Sequence, residues 1–220
     1  MTDSTPLVIV TGASGRLGSL VVEGFLDAGY RVAGLDRTVK DGGAAPVFGF
    51  DAADEASVAD AFDRIVRDHG VPSVVVHTVG MWAMKPFSET ALSDWKMMMD
   101  VNLTSTFLVF REALRRMQGS GAPASGRLIG ISSKQGSVEG AAQQAAYSAS
   151  KAGVKRIVEA LAAELSGSGI TAHAIAPSMI LFEGDDGEGV AACDLVDHCL
   201  HLASDAGASL NGATLHAFGG

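Results

Sequence analysis

The pentapeptide YSASK, Tyr147 to Lys151, sets a phenol and an ammonium four residues apart, on one face of a helix. A phenol near its reference pKa of about 10 is a poor base at neutral pH, and a neighbouring cation favours the phenolate. The pair can therefore serve as a tuned proton donor or acceptor. Upstream, the apolar run RLIGIS (127–132) delivers SSK at its C-terminal end, so Ser132 or Ser133 can meet a substrate oxygen beside the tyrosine. Further upstream, DVNLTSTFLV places Asn102 inside a helical apolar run, where a polar amide is costly unless hydrogen-bonded; it can hold a water or the lysine in line.

A second constellation lies near the start. In VIVTGASGRLG, Val8 to Gly18, the glycines Gly12, Gly15 and Gly18 follow a strand and open a helix. That context lets the backbone turn and lets a pyrophosphate approach the helix N-terminus, where free N–H groups and the dipole favour anions. Asp36, at the end of the next apolar run and about 20 residues beyond the loop, can accept hydrogen bonds from ribose hydroxyls. It would repel a 2'-phosphate, so NAD is the expected cofactor. Arg37 and Arg16 keep NADP as the alternative, because a guanidinium is the usual partner of that phosphate. Asp51 is read either as a contact to the adenine amino group or as an acidic helix-start residue.

These residues need elements to position them. Short β-branched runs at 7–11, 31–35, 47–50, 73–78, 127–132, 170–176 and 213–218 read as strands. Helical patterns run through 16–28, 54–69, 94–118, 145–166 and 192–203, with Asp54 and Asp194 as N-terminal caps and Gly29 and Gly70 as stops. The alternation predicts an α/β protein: a doubly wound, parallel seven-stranded sheet with helices on both faces and its ligand at the carboxyl ends of the strands. Residues 1–220 are read as a single dinucleotide-binding and catalytic domain, and GSGAPASG (119–126) as a surface turn.

Composition narrows the function classes. The chain is 47% hydrophobic with 27 glycines, which suits buried strands and tight turns. A net charge of −9 and a pI near 5.0 oppose binding to nucleic acid or an anionic membrane surface and leave a small molecule as the expected partner. Cys193 and Cys199 cannot build a disulfide framework or a four-sulfur metal site, and no metal is expected. Asp3 stands where a secretory signal would be basic, so a cytoplasmic protein is expected.

Together, VIVTGASGRLG, GLDR, FDAAD, VNLTSTF, IGISS, YSASKAGV, AIAPS and LNGATLHAFGG resemble the short-chain dehydrogenase/reductase family in order and spacing, over nearly the whole chain. The resemblance implies a Rossmann fold and an NAD(P)-dependent oxidoreductase that moves a hydride between nicotinamide and a carbonyl or alcohol. It implies a catalytic tetrad of Asn102, Ser133, Tyr147 and Lys151. In that tetrad Tyr147 exchanges the proton and Ser133 polarises the substrate oxygen. Lys151 binds the nicotinamide ribose and lowers the tyrosine pKa, while Asn102 orders a relay water. The cofactor site carries over to Gly12, Ser14, Gly15, Arg16, Leu17 and Gly18, to Asp36, Arg37 and Asp51, to Val79 and Gly80, and to Tyr147, Lys151, Pro177 and Ser178. A homodimer or homotetramer through the helices at 94–118 and 145–166 is implied as well.

The departures from the family pattern are specific. Arg16 replaces the middle glycine of T-G-x-x-x-G-x-G, and His77-Thr78-Val79-Gly80 stands where N-N-A-G is usual. Pro177-Ser178 replaces proline-glycine, and His173 an asparagine. Ser133 lies 14 residues before Tyr147, about one more than the family spacing, which keeps Ser132 open. His77 and His173 are read as buried strand histidines satisfied by backbone partners. Only a short segment, 178–191, acidic at FEGDDGEG (182–189), stands where the family has a long substrate lid, which predicts an open or poorly ordered pocket. Alternatives weighed are a dihydropteridine-reductase-like enzyme, a catalytically silent NAD(P)-binding sensor or scaffold, and a sugar-nucleotide epimerase, the last opposed by length.

Overall fold

Leu7–Thr11 (β1), LVIVT, is buried along its whole length, and its alternate side chains feed two different cores. Leu7 and Ile9 join one hydrophobic cluster while Val8 and Val10 join the other, the pattern of a strand covered on both faces. In this computed structural model, which describes residues 5–39, 43–119 and 125–219, the chain continues through α1 (Arg16–Asp27), β2 (Arg31–Asp36), β3 (Val47–Gly49), α2 (Glu55–His69) and β4 (Val74–His77). The second half holds α3 (Leu92–Met99), a π-helical turn (Asp100–Thr104), α4 (Ser105–Gly119), β5 (Gly126–Ile131), α5 (Lys134–Ser137) and α6 (Ala145–Glu164). It ends with β6 (Ile170–Pro177), the two-residue strands β7 (Ile180–Leu181) and β8 (Val190–Ala191), α7 (Ala192–Ala203) and β9 (Thr214–Ala217).

Seven strands pair in the order β3-β2-β1-β4-β5-β6-β9, every pair parallel. Helices α2, α4 and α6 cover one face through residues such as Phe62, Val109 and Val158; α1 and α7 cover the other through Phe25 and Leu195. The strand order reverses direction between β1 and β4, so a crevice opens at Thr11 and His77, where a doubly wound sheet binds its ligand.

Local signals behave as their chemistry dictates, with one exception. The Asp54 carboxylate accepts from Ser57 N at 2.7 Å and caps α2, and Gly70 ends that helix at φ +93°. Asp194, expected as a cap, sits instead in the first turn of α7. Strand β8 runs straight into that helix, so Ala191 occupies the cap and the Asp194 charge only complements the dipole. Residues 120–124, most of the expected surface turn at 119–126, lie outside the described residues.

The segment expected to leave an open or poorly ordered pocket is tied down. Strands β7 and β8 pair in parallel within it, Ile180 against Val190 and Leu181 against Ala191. Both strand histidines are buried and partnered, more by side chains than the sequence suggested. His77 bonds the Thr11 and Ser105 hydroxyls at 2.8 and 3.0 Å, and His173 bonds the Leu210 carbonyl and the Thr171 hydroxyl. Among the described residues no helix is long and apolar enough to cross a membrane, and no group of three His, Cys, Asp or Glu is placed to hold a metal.

Candidate active site

The β1–α1 turn makes the first half of the crevice. Gly12 turns the chain at φ +70° and donates to the Leu35 carbonyl, which brings the loop against the end of β2. A Cβ on Gly18 would fall 2.0 Å from the Gly12 carbonyl oxygen, so only glycine allows the loop and the first turn of α1 to pack this closely. Gly15 caps α1 with no side-chain hydrogen bond and no acidic residue follows in the first turn. The helix therefore presents free N–H groups and its positive dipole end to the crevice.

That loop borders a cavity of about 630 Å³. Gly12, Gly15, Arg16, Leu17 and Gly18 form one wall. Asp36, Arg37, Asp51, Val79 and Gly80 line the cavity as well. The Asp36 carboxylate is held by the backbone N–H groups of Ser14 and Thr38, both at 3.0 Å, at the edge where a ribose would lie. Ser14 itself does not line the cavity; it reaches the site through Asp36 and through its hydroxyl bond to the Thr38 carbonyl. Asp51 accepts from Ala53 N in a turn before α2. Shape, glycine cradle and uncapped helix all fit an extended dinucleotide.

Arg16 reaches in a direction that spacing did not reveal. Its guanidinium bonds both carboxylate oxygens of Asp185 at 3.1 and 3.2 Å and lies 4.0 Å above the ring of Phe182. The Phe182 N–H and this guanidinium together hold the Asp185 carboxyl below the usual carboxylate range.

A second cavity of about 520 Å³ adjoins the first through Leu17, Thr78 and Gly80. Tyr147 and Lys151, one helical turn apart on α6, lie on it with Ser133, and Pro177 and Ser178 close its β6 side. The two candidate serines have different engagements. Ser132 donates to the Lys151 carbonyl at 2.8 Å and meets the Ser137 hydroxyl at 3.0 Å, which fastens β5 to α5 and α6. Ser133 contacts the Tyr147 phenol and donates to Gln135 Oε1 at 2.6 Å.

Lys151 Nζ is buried and donates to the Ile131 carbonyl at 2.8 Å; burial pushes its pKa down to about 8. Burial raises the Tyr147 phenol above its ordinary value, with the Ser133 hydroxyl pulling it back. The expected lowering of the phenol by Lys151 does not prevail, because desolvation outweighs any help from the ammonium.

Asn102 is fully buried in the π-helical turn. Its Oδ1 accepts from Met81 N at 2.8 Å, and its Nδ2 donates to the Met81 carbonyl and the Ser150 hydroxyl, both at 3.0 Å. The amide thus clamps the backbone beyond Gly80 and leaves Lys151 to Ile131. Sequence reasoning missed Trp82, Gln135, Gln144 and Met179, which also line this cavity. Gln144 lies three residues before Tyr147 and Gln135 two after Ser133, so proximity to those two residues was the signal on offer.

A family model described as short chain dehydrogenase matches residues 6–186. The chain belongs to the short-chain dehydrogenase family. D-threitol dehydrogenase of Mycolicibacterium smegmatis is 30% identical over 97% of this chain and 92% of its own length. Acetoacetyl-CoA reductase of Cupriavidus necator is 32% identical over 79% of this chain and 74% of its own. The crystal structure of sorbitol-6-phosphate 2-dehydrogenase from Erwinia amylovora superimposes with a TM-score of 0.86 at 26% identity, covering 97% of this chain and 98% of that one. This member of the family is a short-chain dehydrogenase/reductase enzyme, an NAD(P)-dependent oxidoreductase on a Rossmann-type fold.

Proposed function

We propose that this enzyme interconverts a small alcohol and its carbonyl compound with NAD rather than NADP, and that Tyr147 carries the proton. The convergence of Tyr147, Ser133 and Lys151 on one cavity beside the dinucleotide crevice supports this reading most directly. Nicotinamide, when bound, supplies the hydride acceptor or donor. Gly12 to Gly18 hold the pyrophosphate at the head of α1. Asp36 takes the adenosine ribose hydroxyls, and its charge disfavours a 2'-phosphate. Asp51, Val79 and Gly80 complete the adenosine and central parts of that site, and Pro177 and Ser178 the nicotinamide end.

In the reducing direction the protonated phenol of Tyr147 donates to the substrate oxygen while Ser133 orients it. In the oxidising direction the phenolate takes the alcohol proton. Lys151 holds the nicotinamide ribose, and Asn102 fixes the Met81 backbone and the order of the proton path behind the lysine. Because the phenol is raised and the base form is needed for oxidation, alcohol oxidation should accelerate as pH rises above neutrality, whereas carbonyl reduction should not. The exposed Met97 and Phe107, on α3 and α4, suit assembly as a cytoplasmic homodimer or homotetramer, which light scattering would read directly.

Titration of the protein with NADH and NADPH, followed by fluorescence and thermal melting, tests the cofactor half: NADH should bind at least about tenfold more tightly. If neither dinucleotide binds, the reading fails. Tyr147→Phe should lower turnover by about 100-fold or more with NADH binding retained, and undiminished turnover would remove Tyr147 from the chemistry.

A further inference from the structure

Resting on the dehydrogenase reading above, we propose that the substrate is an uncharged compound with vicinal hydroxyls, a small polyol or the hydroxyketone made from it, selected by Gln135 and Gln144. Both amides line the cavity that Tyr147 lines. Gln135, on α5, accepts from the Ser133 hydroxyl through Oε1 at 2.6 Å. Gln144, just before α6, accepts from the Trp82 indole N–H through Oε1 at 3.1 Å. An indole nitrogen can only donate, so the Gln144 amide is oriented with its NH₂ group outward.

Each glutamine therefore has its oxygen engaged and its nitrogen without a hydrogen-bond partner among the described residues. Both lie on the cavity that holds Tyr147 and Ser133, and both are only partly exposed. Two NH₂ groups without protein partners ask for ligand oxygens beyond the one that Tyr147 takes. An apolar ketone filling this space would strip water from both amides and give nothing back, the situation in which a polar site rejects an analogue lacking its hydroxyls. Trp82 and Met179, both exposed at the mouth, supply apolar walls for the carbon chain.

Charge argues against an acidic substrate. Among the described residues Lys151 is the one cation lining this cavity; one of its N–H donors goes to the Ile131 carbonyl, and the reading above gives the others to the nicotinamide ribose rather than to the substrate. Lys134, close by on α5, is paired with Glu139, and Lys85 with Asp94. The nearby loop carries Glu183, Asp185, Asp186 and Glu188. Among the described residues lining this cavity, a phosphate or carboxylate would meet no cation but Lys151, and the acidic loop gives it an unfavourable field. In the reaction, one C–H bond of the chosen carbinol breaks and its hydride passes to oxidised nicotinamide. The hydroxyl proton goes to Tyr147 as C=O forms, and the neighbouring hydroxyls stay intact on the glutamine nitrogens.

The test compares kcat/KM for NAD-coupled oxidation of erythritol, threitol and xylitol with that of 2-butanol and of a phosphorylated tetritol. The vicinal polyols should exceed both other probes by at least about tenfold. Gln144→Leu and Gln135→Leu should each shrink the ratio of polyol to 2-butanol by about tenfold, mainly through KM, while Gln144→Asn should recover part of it. Thermal melting and NADH binding of each variant exclude unfolding as the cause. If 2-butanol or the phosphorylated compound is preferred, or the ratio survives both leucine variants, the proposal is overturned while the dehydrogenase reading stands. If no alcohol or carbonyl compound is turned over although NADH binds, the dehydrogenase reading falls and takes this one with it.

Discussion

The two halves of the crevice are built from different materials. Around the cavity proposed for the dinucleotide the shaping groups are backbone: the turn at Gly12, the open N-terminus of α1, and the N–H groups of Ser14 and Thr38 on Asp36. Around the cavity proposed for the substrate they are side chains, Tyr147, Ser133 and Gln135 among them, and one pair, Trp82 to Gln144, is joined across 62 residues of chain. A site made of backbone tolerates almost no change of shape and is indifferent to most side chains. A site made of side chains can be rebuilt one residue at a time, which suits the half that must choose among substrates.

The strongest way to break this contrast is a side chain placed where only backbone fits. Gly18→Val would drive its Cβ into the Gly12 carbonyl, so the loop must shift away from α1. We expect NADH affinity to fall by at least about tenfold and stability by about 1–3 kcal/mol, read by titration and denaturant unfolding. Trp82→Ala, across the crevice, should leave NADH affinity within about twofold. If the two variants affect NADH equally, the halves are not separable.

His77 joins the halves, because its ring links Thr11 at the end of β1 to Ser105, whose hydroxyl donates to the Val101 carbonyl in the π-helical turn beside Asn102. That donation leaves Ser105 Oγ to accept from His77 Nε2–H and makes Nδ1 the acceptor of the Thr11 hydroxyl. Burial pushes the His77 pKa down to about 3, so the native ring stays neutral. The unfolded ring protonates below about 6.5 while the native one does not. Stability tied to His77 is thus complete above about pH 6.5 and is lost as pH falls toward 3. His77→Leu should cost about 2 kcal/mol at neutral pH through the broken hydroxyl links and should flatten the acid side of the stability profile. An unchanged acid slope would mean the ring is not held neutral.

Lys151 gives a smaller signature of the same sign in an alkaline window. Its native pKa of about 8 lies below its unfolded value, so the unfolded chain holds the extra proton between about pH 8 and 10.5. Its contribution to stability therefore rises with pH across that window. Lys151→Met should remove this rise, as measured by chemical denaturation from pH 7.5 to 10, and a persistent rise would assign it to another group.

The same division explains what could be read from the residues alone. Tyr147 and Lys151 were legible because a spacing of four is a fixed geometry on any helix, and Asp36 because a strand end has one place to be. The seven strands were legible because burial on both faces leaves near-continuous apolar runs. The choice between Ser132 and Ser133 was not, since it depends on which hydroxyl Lys151 and Ser137 engage. Asp194 was misread because a cap depends on where the preceding strand stops. The π-helical turn at Asn102 was invisible because the amide is satisfied by Met81 and Ser150, neither of them a near neighbour in sequence.

Arg16 is the residue on which local spacing says least, and its perturbation should be the mildest. Its pair with Asp185 is exposed, with 64% and 36% of the two side chains accessible, so solvent screens most of its energy. The Asp185 carboxyl titrates below its ordinary range, so the clasp persists at neutral pH and is lost only as pH falls through that lowered pKa. Asp185→Asn should shift Tm by no more than about 2 °C. Its effect on the KM for NADH should stay within about threefold and fade in 0.5 M salt, where screening has already weakened the pair. Phe182→Ala should act through the same guanidinium, so the double variant should change KM by less than the two single effects combined. A KM change of tenfold or more in Asp185→Asn would show that the short acidic segment belongs to the dinucleotide site itself, and the boundary between the two halves would have to be redrawn at Arg16.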